Sequence, residues 1–243
     1  MNLKNYTHTL AAKLTNEAVS LLRNRTNLKL NREEFRSSNI SFSQFGEDLL
    51  ILSYFNDYKD RKGFYVDVGA FHPFKLSNTM LLYKLGWHGL NIDCDQEKIE
   101  LFNQLRPRDI NICAAVANSS KEMTLLRYPM SATNRLSNEY TNEQLSLCGE
   151  TPTNSLSIKT KALETILAEI NLEDKVIDYL NVDVEGMELE VLEGINFNKY
   201  APTLISVEIM NSKNRELITQ FLEKNGYATS SIVRHNYFFK KIC

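Results

Sequence analysis

The feature that most constrains this chain is an alternation, from residue 44 onward, of short apolar runs with helix-patterned stretches. The runs are Phe64–Val68, Gly89–Ile92, Ile110–Val116, Ile177–Val182 and Thr203–Glu208. Each is too short for a buried helix and lacks the polar alternation of a half-exposed strand. Helical spacing falls before, between and after them, over Glu47–Tyr58 (with Ser43 as its cap), Thr79–Leu85, Gln96–Leu105, Leu163–Glu169, Glu188–Glu193 and Asn214–Asn225. Gly86, Pro107, Gly194 and Gly226 stop four of these. Met123–Arg127 and Ser157–Lys161 read as further strands, and Tyr227–Lys240 as a final strand or hairpin. Apolar strands joined by helices predict an α/β fold: a mostly parallel sheet covered by helices on both faces.

Two segments stand apart from this pattern. Leu10, Leu14, Ala18, Leu21 and Leu22 share one face over residues 8–25, so residues 1–42 form a helical extension and 43–243 the main domain. That helix packs either on the main body or on a second copy, which makes a homodimer one expectation. Residues 128–155 are rich in Ser, Thr and Asn with little periodicity, and are expected to be a long loop or lid.

Composition removes several classes. A formal net charge of -2 gives no basic field for nucleic acid. No run approaches the roughly 18 apolar residues of a membrane span, and the first residues lack a signal-peptide core. The four cysteines form no CxxC pair, so free thiols in a reducing cytoplasm are the expectation.

Parallel sheets bind ligands beyond the carboxyl ends of their strands, so the acids and glycines there are the functional candidates. The first strand ends Val66-Asp67-Val68-Gly69-Ala70-Phe71-His72-Pro73, where Gly69 leaves room for close approach to the backbone. The three-glycine dinucleotide fingerprint is missing, which argues against a nicotinamide cofactor. Asp93 closes the second strand, 26 positions after Asp67, where a carboxylate can accept both ribose hydroxyls of an adenosine. S-adenosylmethionine suits this pair, since it carries ribose and adenine but no phosphate that needs a glycine cradle.

With these motifs the chain resembles the FkbM family of S-adenosylmethionine-dependent methyltransferases. The resemblance runs through Ser43-Gln44-Phe45-Gly46-Glu47-Asp48, Val66 to Pro73, Ser77-Asn78-Thr79 and Gly86 to Asp93. It continues in Val182-Asp183-Val184-Glu185-Gly186-Met187-Glu188 and Val191-Leu192-Glu193-Gly194, and so spans residues 43 to about 210. It implies the class I, Rossmann-like methyltransferase fold with a seven-stranded sheet, an S-adenosylmethionine donor and usually O-methylation, often of sugar hydroxyls. It also implies donor contacts from Gln44, Glu47, Gly69, Ala70, Ser77, Asn78, Asp93 and Cys94, besides Asp67. Met187 replaces the histidine of that family motif, so no catalytic role is placed there.

Three acids complete the expected site. Asp183 ends an apolar strand, Glu185 follows in the turn and Glu208 ends the next strand. Carboxylates that converge must be protonated, hydrogen-bonded or bridged by a cation. Asp183 and Glu208 are therefore candidate ligands of a divalent cation such as Mg²⁺, with loop hydrogen bonds as the alternative. Asp183, Glu185 and His72 are the candidate catalytic residues; His72 is either a proton acceptor or a turn residue satisfied by backbone. Gln44 and Glu47 either reach the methionine end of the donor or cap the helix they precede. The expected acceptor is a small molecule, a sugar or nucleotide sugar. An N-methyltransferase on an amine or phosphoramidate and an inactive donor-binding scaffold are the alternatives.

Overall fold

The computed structural model describes residues 31–55, 60–128, 133–137, 151–172 and 176–242. The chain divides after Ile40 into two compact units. The described part of the first is a short helix, α1 (Arg32–Ser37), started by Asn31, whose Oδ1 accepts the N–H groups of Glu33 and Glu34. The helix expected over residues 8–25 lies outside the described residues, as do residues 56–58 of the expected Glu47–Tyr58 helix.

The second unit, Ser41–Cys243, is built on a seven-stranded sheet. Its elements begin with α2 (Glu47–Tyr54), β1 (Phe64–Val68), α3 (Met80–Lys84), β2 (His88–Asp93), α4 (Gln96–Leu105) and β3 (Ile110–Cys113). Then come β4 (Ala115–Ala117), β5 (Glu122–Arg127), β6 (Arg135–Leu136), β7 (Asn154–Ala162), α5 (Leu163–Glu169) and β8 (Tyr179–Val182). The chain closes with α6 (Glu188–Glu193), β9 (Leu204–Glu208), α7 (Ser212–Lys224), β10 (Tyr227–Val233) and β11 (Asn236–Lys241). The main sheet runs β10-β11-β9-β8-β1-β2-β3. Strands β3, β2, β1, β8 and β9 are parallel, and the β10–β11 hairpin adds β11 antiparallel to β9. This is the class I methyltransferase architecture.

Period-2 geometry explains the layers. All five residues of β1 are buried. Phe64, Val66 and Val68 join Leu163 and Ile166 of α5, Val191 and Leu192 of α6, and Ile218 and Leu222 of α7 in one apolar cluster. Tyr65, on the other face, packs with Ile51 of α2, Leu82 and Tyr83 of α3, Trp87 and Phe238. Each such side chain contributes roughly 1.5–3 kcal/mol on burial. Two filled layers therefore hold the strand ends rigidly, and the polar turns above them need carry little of the stability.

Two sequence expectations are corrected. The run Ile110–Val116 is not one strand: it breaks at Ala114, whose N–H donates to the carbonyl of Asp93 at 3.0 Å. Its second half becomes β4 in a separate four-stranded sheet, β4-β7-β5-β6. Nor is residues 128–155 wholly loop, because β6 pairs antiparallel with β5 and β7 starts at Asn154. Residues 129–132 and 138–150 lie outside the described residues. This second sheet carries a small apolar cluster of its own, with Ala115, Ala117, Leu125, Leu136 and Met187.

Candidate active site

Strand order reverses between β1 and β8: β2 and β3 follow on one side of β1, and β8 and β9 lie on the other. Side chains beyond the carboxyl ends of these strands share a cleft at that point. Two backbone bonds fasten its floor, Asp183 N–H to Val68 O at 3.0 Å and Gly69 N–H to Ile92 O at 2.9 Å. Gly69 adopts φ +81°, and a Cβ there would stand 1.6 Å from the Asp183 carbonyl oxygen. Glycine is thus required by the adjoining strand end, more than by the approach of a ligand.

The turns beyond both strands are strained. Phe71 has φ 52° and Glu185 φ 58°, values that non-glycine residues rarely adopt, and Gly186 follows at 108°. Glu188 steadies the second turn: its Oε1 accepts Gly186 N–H at 2.8 Å and Val184 N–H at 3.4 Å. Burial pushes its carboxyl up to about 7 despite those bonds.

A cavity of about 320 Å³ opens over this floor. On its β1–β2 side it is lined by Asp67, Gly69, Ala70, Ser77, Asn78, Asp93 and Cys94, and on its other side by Asp183, Glu185 and Glu208. Gln44 and Glu47 line it from the segment before and within α2. His72 is not among the lining residues. Its Nδ1 accepts the N–H groups of Phe74 and Lys75, both at 3.2 Å, and its ring sits edge-on to Phe74. Burial and the charges of Lys75 and Arg106 lower its pKa. The turn backbone thus engages the Nδ1 of His72.

The donor-side acids are held in different ways. Asp93 accepts Phe71 N–H at 3.0 Å and Asp95 N–H at 2.9 Å, with Lys98 Nζ at 3.4 Å. Burial raises its pKa and Lys98 opposes that rise. Asp67 is more enclosed, and its two oxygens accept from Asn181 Nδ2 (2.9 Å) and Thr79 Oγ1 (2.7 Å). Those bonds make it a brace between β1, β8 and the turn before α3. Ser77 plays a similar part, accepting from Arg106 Nη2 at 2.7 Å. Beside Asp93, burial pushes the Cys94 thiol up to about 12, so it stays neutral.

At the other end three carboxylates meet. Asp183, Glu185 and Glu208 each present an oxygen within 4.8 Å of the others. Asp183 is half-buried, yet its carboxyl is raised well above the usual range. Desolvation is the largest cause, followed by the charges of Glu208 and Glu185 and a hydrogen bond shared with Glu208. The cluster offers an oxygen-only donor set.

Sequence reading missed several residues. Arg106, fully buried, donates Nε to Pro73 O at 2.8 Å and Nη1 to Thr79 Oγ1 at 2.8 Å, so it fixes the 73–79 turn. Asn181 and Asn236 line the cavity, as do Asn134, Arg135 and Leu136 from around β6. None of them had a local signal: Arg106 follows a helix and reaches a turn 33 residues back, and the others reach the cavity only once their strands have paired.

The family model of the methyltransferase FkbM domain matches residues 67–229, about two thirds of the chain. The chain belongs to the FkbM methyltransferase family. It is an S-adenosylmethionine-dependent methyltransferase. No curated protein matches it. Solved structures similar to this FkbM-family protein include 1,6-didemethyltoxoflavin-N1-methyltransferase of Burkholderia thailandensis, bound to 1,6-didemethyltoxoflavin and S-adenosylhomocysteine. It is 9% identical, covering 97% of this chain and 90% of that one, with a TM-score of 0.41. The C-terminal domain of a precorrin-6Y C5,15-methyltransferase of Rhodobacter capsulatus is 12% identical over 80% of this chain and 85% of that one, TM-score 0.38. A ribosomal protein L11 methylase of Lactobacillus delbrueckii subsp. bulgaricus is 12% identical over 80% and 77%, TM-score 0.40. These likenesses do not distinguish one acceptor class from another. No helix among the described residues of the FkbM-family protein is long and apolar enough to cross a membrane.

Proposed function

We propose that this FkbM-family protein transfers a methyl group to a hydroxyl of a sugar, free, nucleotide-linked or within a polysaccharide precursor. One observation carries the reading: a single cavity joins the Asp93 carboxylate beyond β2 to the Asp183, Glu185 and Glu208 carboxylates beyond β8 and β9. The residues present fit the donor. The cavity lies at the lower end of the size range of small-molecule sites, a carboxylate ends β2, and a buried acceptor, Asn236 Oδ1, is left without a partner. When bound, S-adenosylmethionine supplies a methyl group already activated on its sulfonium sulfur.

The chain then has three tasks. Asp93 holds the ribose hydroxyls, and Ala70, Ser77, Asn78 and Cys94 enclose the adenosine side, while Gln44 and Glu47 face the methionine end. The acidic cluster orients the acceptor hydroxyl and takes its proton, with the proton affinity of Asp183 raised by burial and by the neighbouring carboxylates. The walls exclude water, so alignment does most of the catalytic work. His72, outside the cavity, is not given the proton-acceptor role. The same oxygens fit a divalent cation such as Mg²⁺, which Asp183, Glu185 and Glu208 would hold and which would acidify a bound hydroxyl. Cys94 and Cys113 are free thiols, which supports a cytoplasmic setting.

The test is methyl transfer from labelled donor to a panel of nucleotide sugars, polyols and amines, with and without chelator. Labelled O-methyl sugar supports the reading, and labelled amine alone overturns it. Loss of transfer in chelator, restored by Mg²⁺, would assign the cluster to a cation.

A further inference from the structure

Strand β11 runs against its neighbour β9, so its first residue stands where the parallel strands end. The register pairs Asn236 with Glu208, which brings a residue of the last strand into the cavity wall. Asn236 Nδ2 donates to Glu47 Oε1 at 3.2 Å. The amide is oriented by that bond, since turning it over would set its oxygen against a carboxylate. Its Oδ1 is buried and has no hydrogen-bond partner.

Glu47 is 1% exposed, and its other oxygen accepts Phe45 N–H at 2.7 Å. None of the ion pairs among the described residues includes it. A buried carboxylate without a cation, beside a buried amide oxygen without a donor, is costly twice over. Both side chains line the same cavity. What would relieve both at once is a ligand that brings N–H donors and positive charge together. A neutral hydroxyl would satisfy the amide and leave the charge uncompensated.

We infer that Asn236 and Glu47 together hold the α-ammonium of the donor's methionine arm, with Asn236 Oδ1 accepting an N–H and Glu47 supplying the counter-charge. The inference rests on the donor occupying this cavity, and it adds a residue of the last strand to the binding site. It also gives the C-terminal hairpin a function: the hairpin closes the methionine end.

Calorimetry on the full chain tests it with three probes: S-adenosylhomocysteine, the analogue carrying hydrogen in place of the α-ammonium, and 5′-methylthioadenosine. The wild-type protein is expected to bind S-adenosylhomocysteine roughly tenfold to a hundredfold more tightly than the desamino analogue. That comparison needs no variant. Asn236→Leu and Glu47→Gln are each expected to weaken S-adenosylhomocysteine about tenfold or more, while leaving the other two probes within about twofold. Retained methylthioadenosine binding shows that a variant is folded. Equal wild-type affinities for the first two probes overturn the inference, as do variants that weaken all three alike or none. If the wild-type protein binds none of the probes, the donor reading fails as well.

Discussion

The two ends of the cavity solve the problem of buried acids in opposite ways. At the β1–β2 end each carboxylate is met by donors: Asp67 by Thr79 and Asn181, and Asp93 by two backbone N–H groups and Lys98. At the β8–β9 end carboxylates are met by carboxylates, with Asp183 facing Glu208 and Glu185. The first end is preorganised and can receive a neutral ribose without rearrangement. The second stores electrostatic frustration, which a proton, a cation or a ligand's donors must relieve. Ribose binding is thus assigned to the settled end and reactivity to the unsettled one.

Substitutions can break this comparison, and the largest effect is expected where the ends are joined. Gly69→Ala would drive a methyl into the Asp183 carbonyl at 1.6 Å while holding a disfavoured φ. We expect a loss of more than about 3 kcal/mol of stability, read by chemical denaturation. Unchanged stability would mean that the two strand ends are not fastened as described.

Next is Asp183→Asn. It should leave S-adenosylhomocysteine affinity within about twofold in calorimetry, yet lower turnover by roughly 10²–10⁴-fold. Full activity would remove the acidic cluster from the mechanism. Asp93→Ala should do the reverse, weakening S-adenosylhomocysteine by roughly tenfold to a hundredfold, with turnover at saturating donor changed far less. A variant that altered both ends equally would dissolve the division of labour.

The pH response sharpens the comparison. Glu188 is held at about 7 in the folded chain against an ordinary 4.5, so between those values the native state keeps a proton that the unfolded state has released. Stability is therefore greatest below about 4.5 as far as this group is concerned, and falls as pH rises toward 7, by about 3 kcal/mol in all. Glu188→Gln should flatten that slope in denaturation midpoints measured from pH 5 to 8. A slope that survives the substitution would place its origin elsewhere.

Much of the fold was legible because its signals are local. An apolar run such as Phe64–Val68 announces a buried strand, and an acid or glycine at its end announces the cleft. Asp67, Gly69, Asp93, Asp183 and Glu208 all reached the cavity wall for that reason. The break at Ala114 was hidden, because apolar residues continue across it and only the pairing of β4 with β7 diverts the chain. His72, a candidate base from its place just past β1, has its Nδ1 held by two backbone N–H groups of the turn, a contact that sequence position alone does not reveal.

The sequence by itself determined the strands of the parallel core, such as β1, β2, β8 and β9, and the chemistry at their ends, since backbone period and side-chain type are properties of short stretches. Only tertiary structure decided which ends meet. Arg106 braces a turn 33 residues away, and Asn236 reaches Glu47 across 189 residues because β11 runs antiparallel beside β9. Such contacts depend on strand order and register, and the buried bonds that reward them form only once the chain has closed.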